Sequence, residues 1–251
     1  MWIILINHNR TIREDIMHRS AALFPIVLSL GATLLIPAKC AQADDTRDFG
    51  PTPIKRCQTI DQPGSYVLVK NLTATGDCLV ITASFVTIDL AGFAIFGPGI
   101  AGQPAGVVAA QPNVDDIAVR NGSISGFYAG IHLVSRSSVV EEVRASSNGG
   151  AGIVANGIVR NNTAVNNSFT GIAASGVVTG NFAGDNGTGF NVGADSPSIP
   201  STVIGNTATG NRNAGFSVTC PSNLIDNTAS ANGQNLQTFG MGCNFVNNLG
   251  F

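Results

Sequence analysis

The second half of the chain repeats one pattern of apolar and polar positions. An apolar pair is followed by Asn-x-Ala, then by a second Asn, and then by Gly-Ile or Gly-Phe. Copies begin at Val159, Val178, Val203 and Leu224, and a fragment begins at Phe245. Apolar runs this short cannot hold a helix but suit short strands. The pattern therefore predicts brief strands and turns that recur at a regular interval.

Two columns of asparagine measure that interval. The first column contains Asn162, Asn181, Asn206, Asn227 and Asn248, whose positions differ by 19, 25, 21 and 21. The second column contains Asn148, Asn167, Asn186, Asn211 and Asn232, whose positions differ by 19, 19, 25 and 21. Both columns place the long step at the same point, so a single insertion explains it, the Pro-rich segment 195–200.

Coils of about 19–25 residues predict an all-β fold, a single-stranded right-handed parallel β-helix over positions 57–251. Three short strands and three turns fill one coil, and coils stacked about 4.8 Å apart pair each strand with its copies above and below. Asn and Gly tolerate the left-handed backbone of the corners, and buried Asn side chains hydrogen-bond along the stack. Right-handed winding is the rule for parallel crossovers. Hexapeptide helices and calcium-binding nonapeptide repeats fit these steps and this low Asp content less well.

The N-terminal segment 1–43 is predicted to lie outside the folded domain. A basic segment at 17–20 precedes an apolar run at 21–37, and Ala41 to Ala43 offers a small-x-small cleavage site, which is the pattern of a secretory signal. We expect a start at Met17, an upstream extension before it, a linker over 44–56 and a secreted or periplasmic protein. An uncleaved N-terminal anchor is the alternative. The apolar run is too short to favour a membrane span in the mature protein.

Four cysteines remain once Cys40 is assigned to the signal. Cys57 and Cys78 differ in position by 21, and Cys220 and Cys243 differ by 23. Each interval is about one coil, so each pair would face across neighbouring rungs within disulfide reach. We predict the disulfides 57–78 and 220–243, one near each end. Metal-bound thiols are the alternative, but the chain has no Cys-x-x-Cys or His cluster, and we expect no metal site.

Composition narrows the classes of function. Charged residues make up 11% of the chain and the formal net charge is −2, without the basic stripe that nucleic-acid binding requires. No nucleic-acid partner is expected. Most phenylalanines are expected to stack inside the coils. Glu141 and Arg160, whose positions differ by 19, are expected to form a surface ion pair between neighbouring rungs.

The densest group of charged side chains is Asp115, Asp116 and Arg120, with Glu142 about one coil further along. Two nearby carboxylates could bind a cation or share acid–base catalysis, so these four are the candidate catalytic residues. The alternative role is structural, because Asp residues in a loop that enters a strand cap turns.

His132 and Tyr128 are the candidate binding residues. His132 is the only histidine of the predicted mature chain, and from a strand it could point outward and act as a base. Tyr128 is one of the few aromatic side chains available to stack on a sugar. An ordinary surface or core histidine is the alternative for His132.

Several short segments carry a family resemblance. They are Cys57-Gln58-Thr59-Ile60, Pro63-Gly64-Ser65-Tyr66-Val67-Leu68, Asn71-Leu72-Thr73, Val86-Thr87-Ile88-Asp89-Leu90 and Val119-Arg120-Asn121-Gly122-Ser123-Ile124. From about Pro53 to Phe251 the chain resembles a bacterial exported family of right-handed β-helix proteins within the pectate-lyase-like superfamily. Enzymes of that superfamily generally use carboxylates, with or without calcium, and sometimes an Arg or Lys base. The resemblance implies a polysaccharide partner, and calcium only if the chain is an enzyme; no other cofactor is expected.

Two hypotheses about function follow. The favoured one is a non-catalytic surface or periplasmic solenoid, glycan-associated or scaffolding, which needs only a long polar face. The alternative is a polysaccharide lyase, hydrolase or epimerase that acts on an acidic, uronate-containing glycan. Short coils and low charge stand against an enzyme, and only the segment 97–113 is long enough to wall a cleft. Analogy of fold alone does not decide between the two.

Overall fold

The repeat folds into stacked coils of short strands, as predicted. The computed structural model describes residues 50–109, 111, 113–193 and 200–251. The predicted signal region 1–43 and residues 195–199 of the predicted insertion lie outside the described residues. The described part of the chain is all-β, and none of it forms a helix long and apolar enough to cross a membrane.

The described residues contain 22 strands: β1 (Thr52–Ile54), β2 (Gln58–Ile60), β3 (Gly64–Leu68), β4 (Leu72–Thr73), β5 (Leu79–Ile81), β6 (Val86–Asp89), β7 (Ala94–Phe96), β8 (Ala105–Ala109), β9 (Ile117–Ser125), β10 (Ala129–Ser146), β11 (Ala151–Arg160), β12 (Thr163–Val165), β13 (Thr170–Thr179), β14 (Phe182–Gly184), β15 (Thr188–Val192), β16 (Ser201–Ile204), β17 (Thr207–Thr209), β18 (Ala214–Thr219), β19 (Ser222–Ile225), β20 (Thr228–Ser230), β21 (Gln234–Phe239) and β22 (Asn244–Val246).

Parallel pairing arranges these strands on three faces of a right-handed β-helix of about nine coils. Face 1 contains β2, β5, β8, the first parts of β10, β11 and β13, and then β15, β18 and β21. Face 2 contains β1, β3, β6, the first part of β9, the middle of β10, the last parts of β11 and β13, and then β16, β19 and β22. Face 3 contains the remaining strands and the ends of β9 and β10. We number the coils 1 to 9 by their face-1 strands.

The core consists of equivalent side chains stacked on one another. Val159, Val178, Val203 and Leu224 share one register column of face 2, and all four are fully buried. The predicted alanine column is also buried, at Ala145, Ala164, Ala183, Ala208 and Ala229. Since strand side chains alternate between the two sides of a sheet, the interior is apolar and narrow while the outward positions are free to vary.

Both predicted asparagine columns are confirmed as hydrogen-bonded ladders. The Oδ1 of Asn181 accepts from the backbone N–H of Asn162 at 2.9 Å and from its Nδ2 at 3.0 Å. The second Nδ2 hydrogen of Asn162 goes to a backbone carbonyl of the preceding coil. Asn181 and Asn206 pair in the same way across the long step of the repeat, and the second ladder repeats the geometry from Asn148 to Asn232. Each buried amide therefore has its partners, which avoids the penalty of an unsatisfied polar group.

Disulfides join neighbouring coils near both ends of the described solenoid, with the predicted pairing. The Cα atoms are 4.3 Å apart in Cys57–Cys78 and 5.0 Å apart in Cys220–Cys243. β1 lies within the segment 44–56 predicted as a linker, and it pairs with β3. Two disulfides indicate that the protein matures in an oxidising compartment.

Replacing Asn186 by Ala is expected to lower the free energy of unfolding by about 2–4 kcal/mol. The change removes the acceptor of two Asn167 donors and a donor to Asn211, which leaves buried groups unpaired on both neighbouring coils. Urea unfolding followed by circular dichroism measures the loss. Asn223→Ala, at an outward position of face 2, is the matched control and is expected to cost about 0.5 kcal/mol or less. Equal losses in the two variants would contradict the role of the ladder.

Replacing either cysteine pair by Ser is expected to destabilise the fold by about 3 kcal/mol. Each bridge closes a loop about one coil long, and its loss frees the unfolded chain. The free energy of unfolding is measured for each variant that lacks one cysteine pair and for a variant that lacks both. The wild-type chain, once reduced, is expected to be as stable as the variant that lacks both pairs. Peptide mapping without reductant checks the pairing. A disulfide between a cysteine of the first pair and a cysteine of the second would show that the predicted pairing is wrong.

Candidate functional site

A groove runs along face 1, parallel to the axis of the solenoid. Two hollows of about 490 Å³ each lie along it and share His132 and Val154. Together they reach from Asp77, which precedes the face-1 strand of coil 2, to Asn191 in coil 7, about 24 Å at the usual rung spacing. We call this surface the face-1 groove. Its polar and aromatic lining side chains are Asp77, Gln103, Tyr128, His132, Asn156, Phe169 and Asn191.

Two aromatic side chains mark one side of the groove, two coils apart. The N–H of Gly150 donates to the carbonyl of Tyr128 at 2.8 Å, and the N–H of Phe169 donates to the carbonyl of Gly150 at 3.0 Å, so these three residues occupy successive rungs. A Cβ atom on Gly150 would lie 3.0 Å from the Tyr128 ring, so glycine lets that ring approach the middle rung. The side chain of Phe169 is 64% exposed. We call the part of the groove that Tyr128, Gly150 and Phe169 line together the aromatic notch.

The loop between β7 and β8 borders the groove near the notch. It contributes Gln103 to the lining, and its Ile100 packs over Gly149, where a Cβ atom would lie 1.9 Å from Ile100 Cγ2. Asp77 is held in place because its Oδ1 accepts the backbone N–H of Ala105 at 2.7 Å. Of the predicted wall 97–113, residues 97–104 form this loop, whereas β8 is an ordinary rung of face 1.

The face-1 groove offers hydrogen bonds with little charge. Asp77 is the single carboxylate among its described lining residues, and that lining includes no Lys or Arg. His132 is half-buried at the point where the two hollows meet. Such a surface can hold a polar, neutral ligand, with the side chains of Gln103, Asn156 and Asn191 as donors and acceptors.

Asp115 and Asp116, two of the candidate catalytic residues, lie at the corner that leads into β9. The hydroxyl of Ser135 donates to Asp115 Oδ1 at 2.8 Å, and the backbone N–H of Asp116 donates to Ser137 Oγ at 2.8 Å. Both contacts join coil 3 to coil 4. Neither aspartate lines the face-1 groove, and both take part in corner contacts of the kind expected from the structural alternative.

The other two candidates lie at the opposite end of the face-2 strand. Arg120 follows Asp116 along an extended strand, about 13 Å further on. The Nε of Arg120 is 3.2 Å from Asp89 Oδ2. Glu142 is exposed at the next corner of coil 4, in the left-handed conformation with φ 57°. The structure therefore brings Arg120 to Asp89 and does not gather the four candidates into one groove.

Tyr128 and His132, the two candidate binding residues, do lie in one hollow. Sequence reasoning missed Phe169, Asp77 and Gln103. The expectation that most phenylalanines are internal is wrong, because among the described residues only Phe127, Phe190 and Phe216 are fully buried. The position of Phe169 in the repeat could have identified it. This residue closely follows a ladder asparagine, at a corner where side chains point outward.

Tyr66 has a perturbed ionisation but lies outside the groove. Burial raises the pKa of its phenol above the ordinary value, and the carboxylate of Asp61 raises it further. Its hydroxyl donates to the carbonyl of Gln62 at 2.8 Å. Tyr66 is therefore a packing residue of the first coil.

Comparison with protein-family profiles and with curated proteins found no match. Among solved structures, the chain is similar to the A-module of the mannuronan C-5 epimerase AlgE4 of Azotobacter vinelandii. The identity is 15%, the TM-score is 0.53, and the likeness covers 76% of this chain and 68% of that chain. The likeness shows the fold alone. It confirms the parallel β-helix that both the repeat and the resemblance predicted.

Gly149→Ala is expected to loosen the 97–104 loop, because the new methyl group would occupy the position of Ile100 Cγ2. Hydrogen exchange of the loop amides should become faster while the ladder amides keep their protection. Gly76→Ala is the matched control, since no atom lies within 4 Å of a Cβ there. Unchanged exchange in the Gly149 variant would contradict the packing of Ile100 over this glycine.

Proposed function

We propose that the protein is a non-catalytic glycan-binding solenoid that holds an extended neutral oligosaccharide in the face-1 groove. The observation that carries this proposal is the aromatic notch, with Tyr128 and Phe169 on alternate rungs and Gly150 between them. It opens into a groove that continues along the axis past His132 to Asn191. We infer that the protein meets this glycan outside the cytoplasm, at the cell surface or in the periplasm.

Sugar chemistry matches the two kinds of surface in the groove. One side of a pyranose ring presents C–H groups that pack on an aromatic face, and its rim presents hydroxyls. Tyr128 and Phe169 supply flat apolar area, while amide side chains such as Asn156 donate and accept hydrogen bonds. An apolar cleft with a few oriented polar groups is the usual form of a small-ligand site.

Charge favours a neutral glycan over an acidic one. A uronate chain carries one carboxylate per sugar, and Asp77 would repel it at short range. The described lining of the groove includes no Lys or Arg. The Arg212 guanidinium donates to the carbonyl of Ser168 beside Phe169, four coils away from Asp77. Against a neutral chain, the same Asp77 carboxylate is a strong acceptor for sugar hydroxyls.

The proposal predicts binding of neutral hexasaccharides, such as those of glucose, xylose or mannose, in a glycan array followed by titration calorimetry. Phe169→Ala and Tyr128→Ala are each expected to weaken that binding about tenfold or more, since each removes a stacking surface. Phe182→Ala is the matched control, because Phe182 is an exposed aromatic residue on face 3. No binding, or binding that survives both groove substitutions, would contradict the proposal.

A uronate-active enzyme is the second candidate function, and the shared position of Tyr128 and His132 favours it. Tyr128 and His132 line the same hollow, and histidine and tyrosine can act as base and acid in proton abstraction. The structural neighbour is itself named as a mannuronan epimerase. NMR of mannuronan or polygalacturonate after incubation decides: product formation lost in His132→Ala would replace the non-catalytic proposal, whereas loss in Asp115→Ala/Asp116→Ala alone would support the site at the β9 corner.

A further inference from the structure

Four charged side chains alternate in sign along one outward column of face 2. The register places Asp89, Arg120, Glu141 and Arg160 at equivalent positions on coils 2 to 5. Two ion pairs form within the chain, Asp89 with Arg120 at 3.2 Å and Glu141 with Arg160 at 2.7 Å, and the second is the predicted pair. The sequence of charges along the axis is therefore minus, plus, minus, plus. We call these four residues the charge column.

An aliphatic column runs beside the charge column on the same face. Ala118, Val139, Ile158 and Val177 share a register position on coils 3 to 6, each two positions before the adjacent column. Ile158 is 40% exposed and Val177 is 42% exposed. These side chains add exposed apolar area to face 2 beside the charge column.

We propose that face 2 binds face 2 of a second copy of this chain, with the two solenoids antiparallel. A two-fold axis between coils 3 and 4 places coil 2 opposite coil 5 and coil 3 opposite coil 4. Asp89 then faces Arg160 of the partner subunit, and Arg120 faces Glu141 of the partner subunit. All four charges meet the opposite sign, and the same surface serves both copies, as a closed two-fold interface requires.

The corners that flank face 2 fit this arrangement. Asp116 and Ser137 lie at equivalent corners of coils 3 and 4, because the N–H of Asp116 donates to Ser137. Asn121 and Glu142 follow the face-2 strands of the same two coils. The antiparallel arrangement therefore places each of these carboxylates opposite a neutral side chain, Ser or Asn, of the partner subunit.

Other arrangements of the two faces are less favourable. Parallel solenoids in register would place equal charges at the same height, and an axis that passes through one coil would pair like signs. Only the antiparallel register with its axis between coils 3 and 4 places all four charges opposite the other sign. Six coils at about 4.8 Å and six residues at about 3.3 Å give a strip of about 29 by 20 Å. About 600 Å² per copy is at the low end for specific interfaces, so the dimer is weak, and the face-1 groove stays open.

Sedimentation velocity over a wide concentration range tests the proposal on the disulfide-bonded chain. The expected result is a reversible monomer–dimer equilibrium. Its dissociation constant should increase as the salt concentration rises, because exposed charges contribute to the interface. A wild-type chain that stays monomeric at every concentration, or one that grows beyond dimers, would overturn the proposal.

A double exchange, Glu141→Arg with Arg160→Glu, tests the contact between copies, and its melting temperature is compared with that of the wild-type chain because the new Arg lies beside Arg120 on the neighbouring rung. The exchange keeps an ion pair within the chain but changes the column to minus, plus, plus, minus, so every charge faces its like. The dissociation constant of the dimer is expected to rise about tenfold or more. Arg144→Glu on face 3 is the matched control and should leave it unchanged. Dimerisation that survives the double exchange would overturn the proposal.

Mixing two variants tests the antiparallel register itself. The exchange of Asp89→Arg with Arg120→Asp gives the column plus, minus, minus, plus. By itself this variant should also dimerise about tenfold or more weakly than the wild-type chain. When this variant is mixed with the Glu141/Arg160 variant, each of the four charges on one chain faces the opposite charge on the other. Heterodimers are therefore expected. Asp89 also accepts the N–H of Ala91, so the melting temperature of this variant is checked first, and the Glu141/Arg160 exchange decides alone if the variant does not fold. A mixture of two folded variants that stays monomeric would overturn the register.

Discussion

Buried asparagine amides impose the constraint on which coils 4 to 9 of this solenoid depend. Each amide in the two ladders needs a neighbouring amide at the same place on the next coil, since a buried, unpaired donor or acceptor is costly. That requirement keeps successive coils in register, and it keeps extra residues out of the stack. The long step between Asn181 and Asn206 shows this, because the ladder continues across it without a break.

Register in turn determines what the surface can be. Residues one coil apart in the chain become neighbours, so each outward position of the repeat becomes a column along the axis. On face 1 such columns bring Tyr128, Gly150 and Phe169 together at a corner of the groove. On face 2 they bring together Glu141 and Arg160. The internal positions pack in the core, and the outward columns hold the aromatic and charged side chains that solvent can reach.

The two proposed surfaces lie on different faces of the same rigid stack. A ligand in the face-1 groove and a second copy on face 2 would therefore not compete, and an antiparallel dimer would present two grooves. Two linked sites raise the apparent affinity for a polymer that can reach both.

The repeat in the sequence was sufficient to predict the β-helix, both ladders, the disulfide pairing and the Glu141–Arg160 pair, because each depends on spacing alone and stacking preserves spacing. The site was less predictable. Tyr128 and His132 were found as candidates, but Phe169 was not singled out. Most phenylalanines were expected inside the coils, because an apolar residue in the sequence does not show which side of a corner it occupies. Asp115 and Glu142 are close in coil number yet lie at opposite corners of face 2. Only the tertiary structure decided this, since the direction of a side chain depends on the turn at each corner and not on the interval between coils.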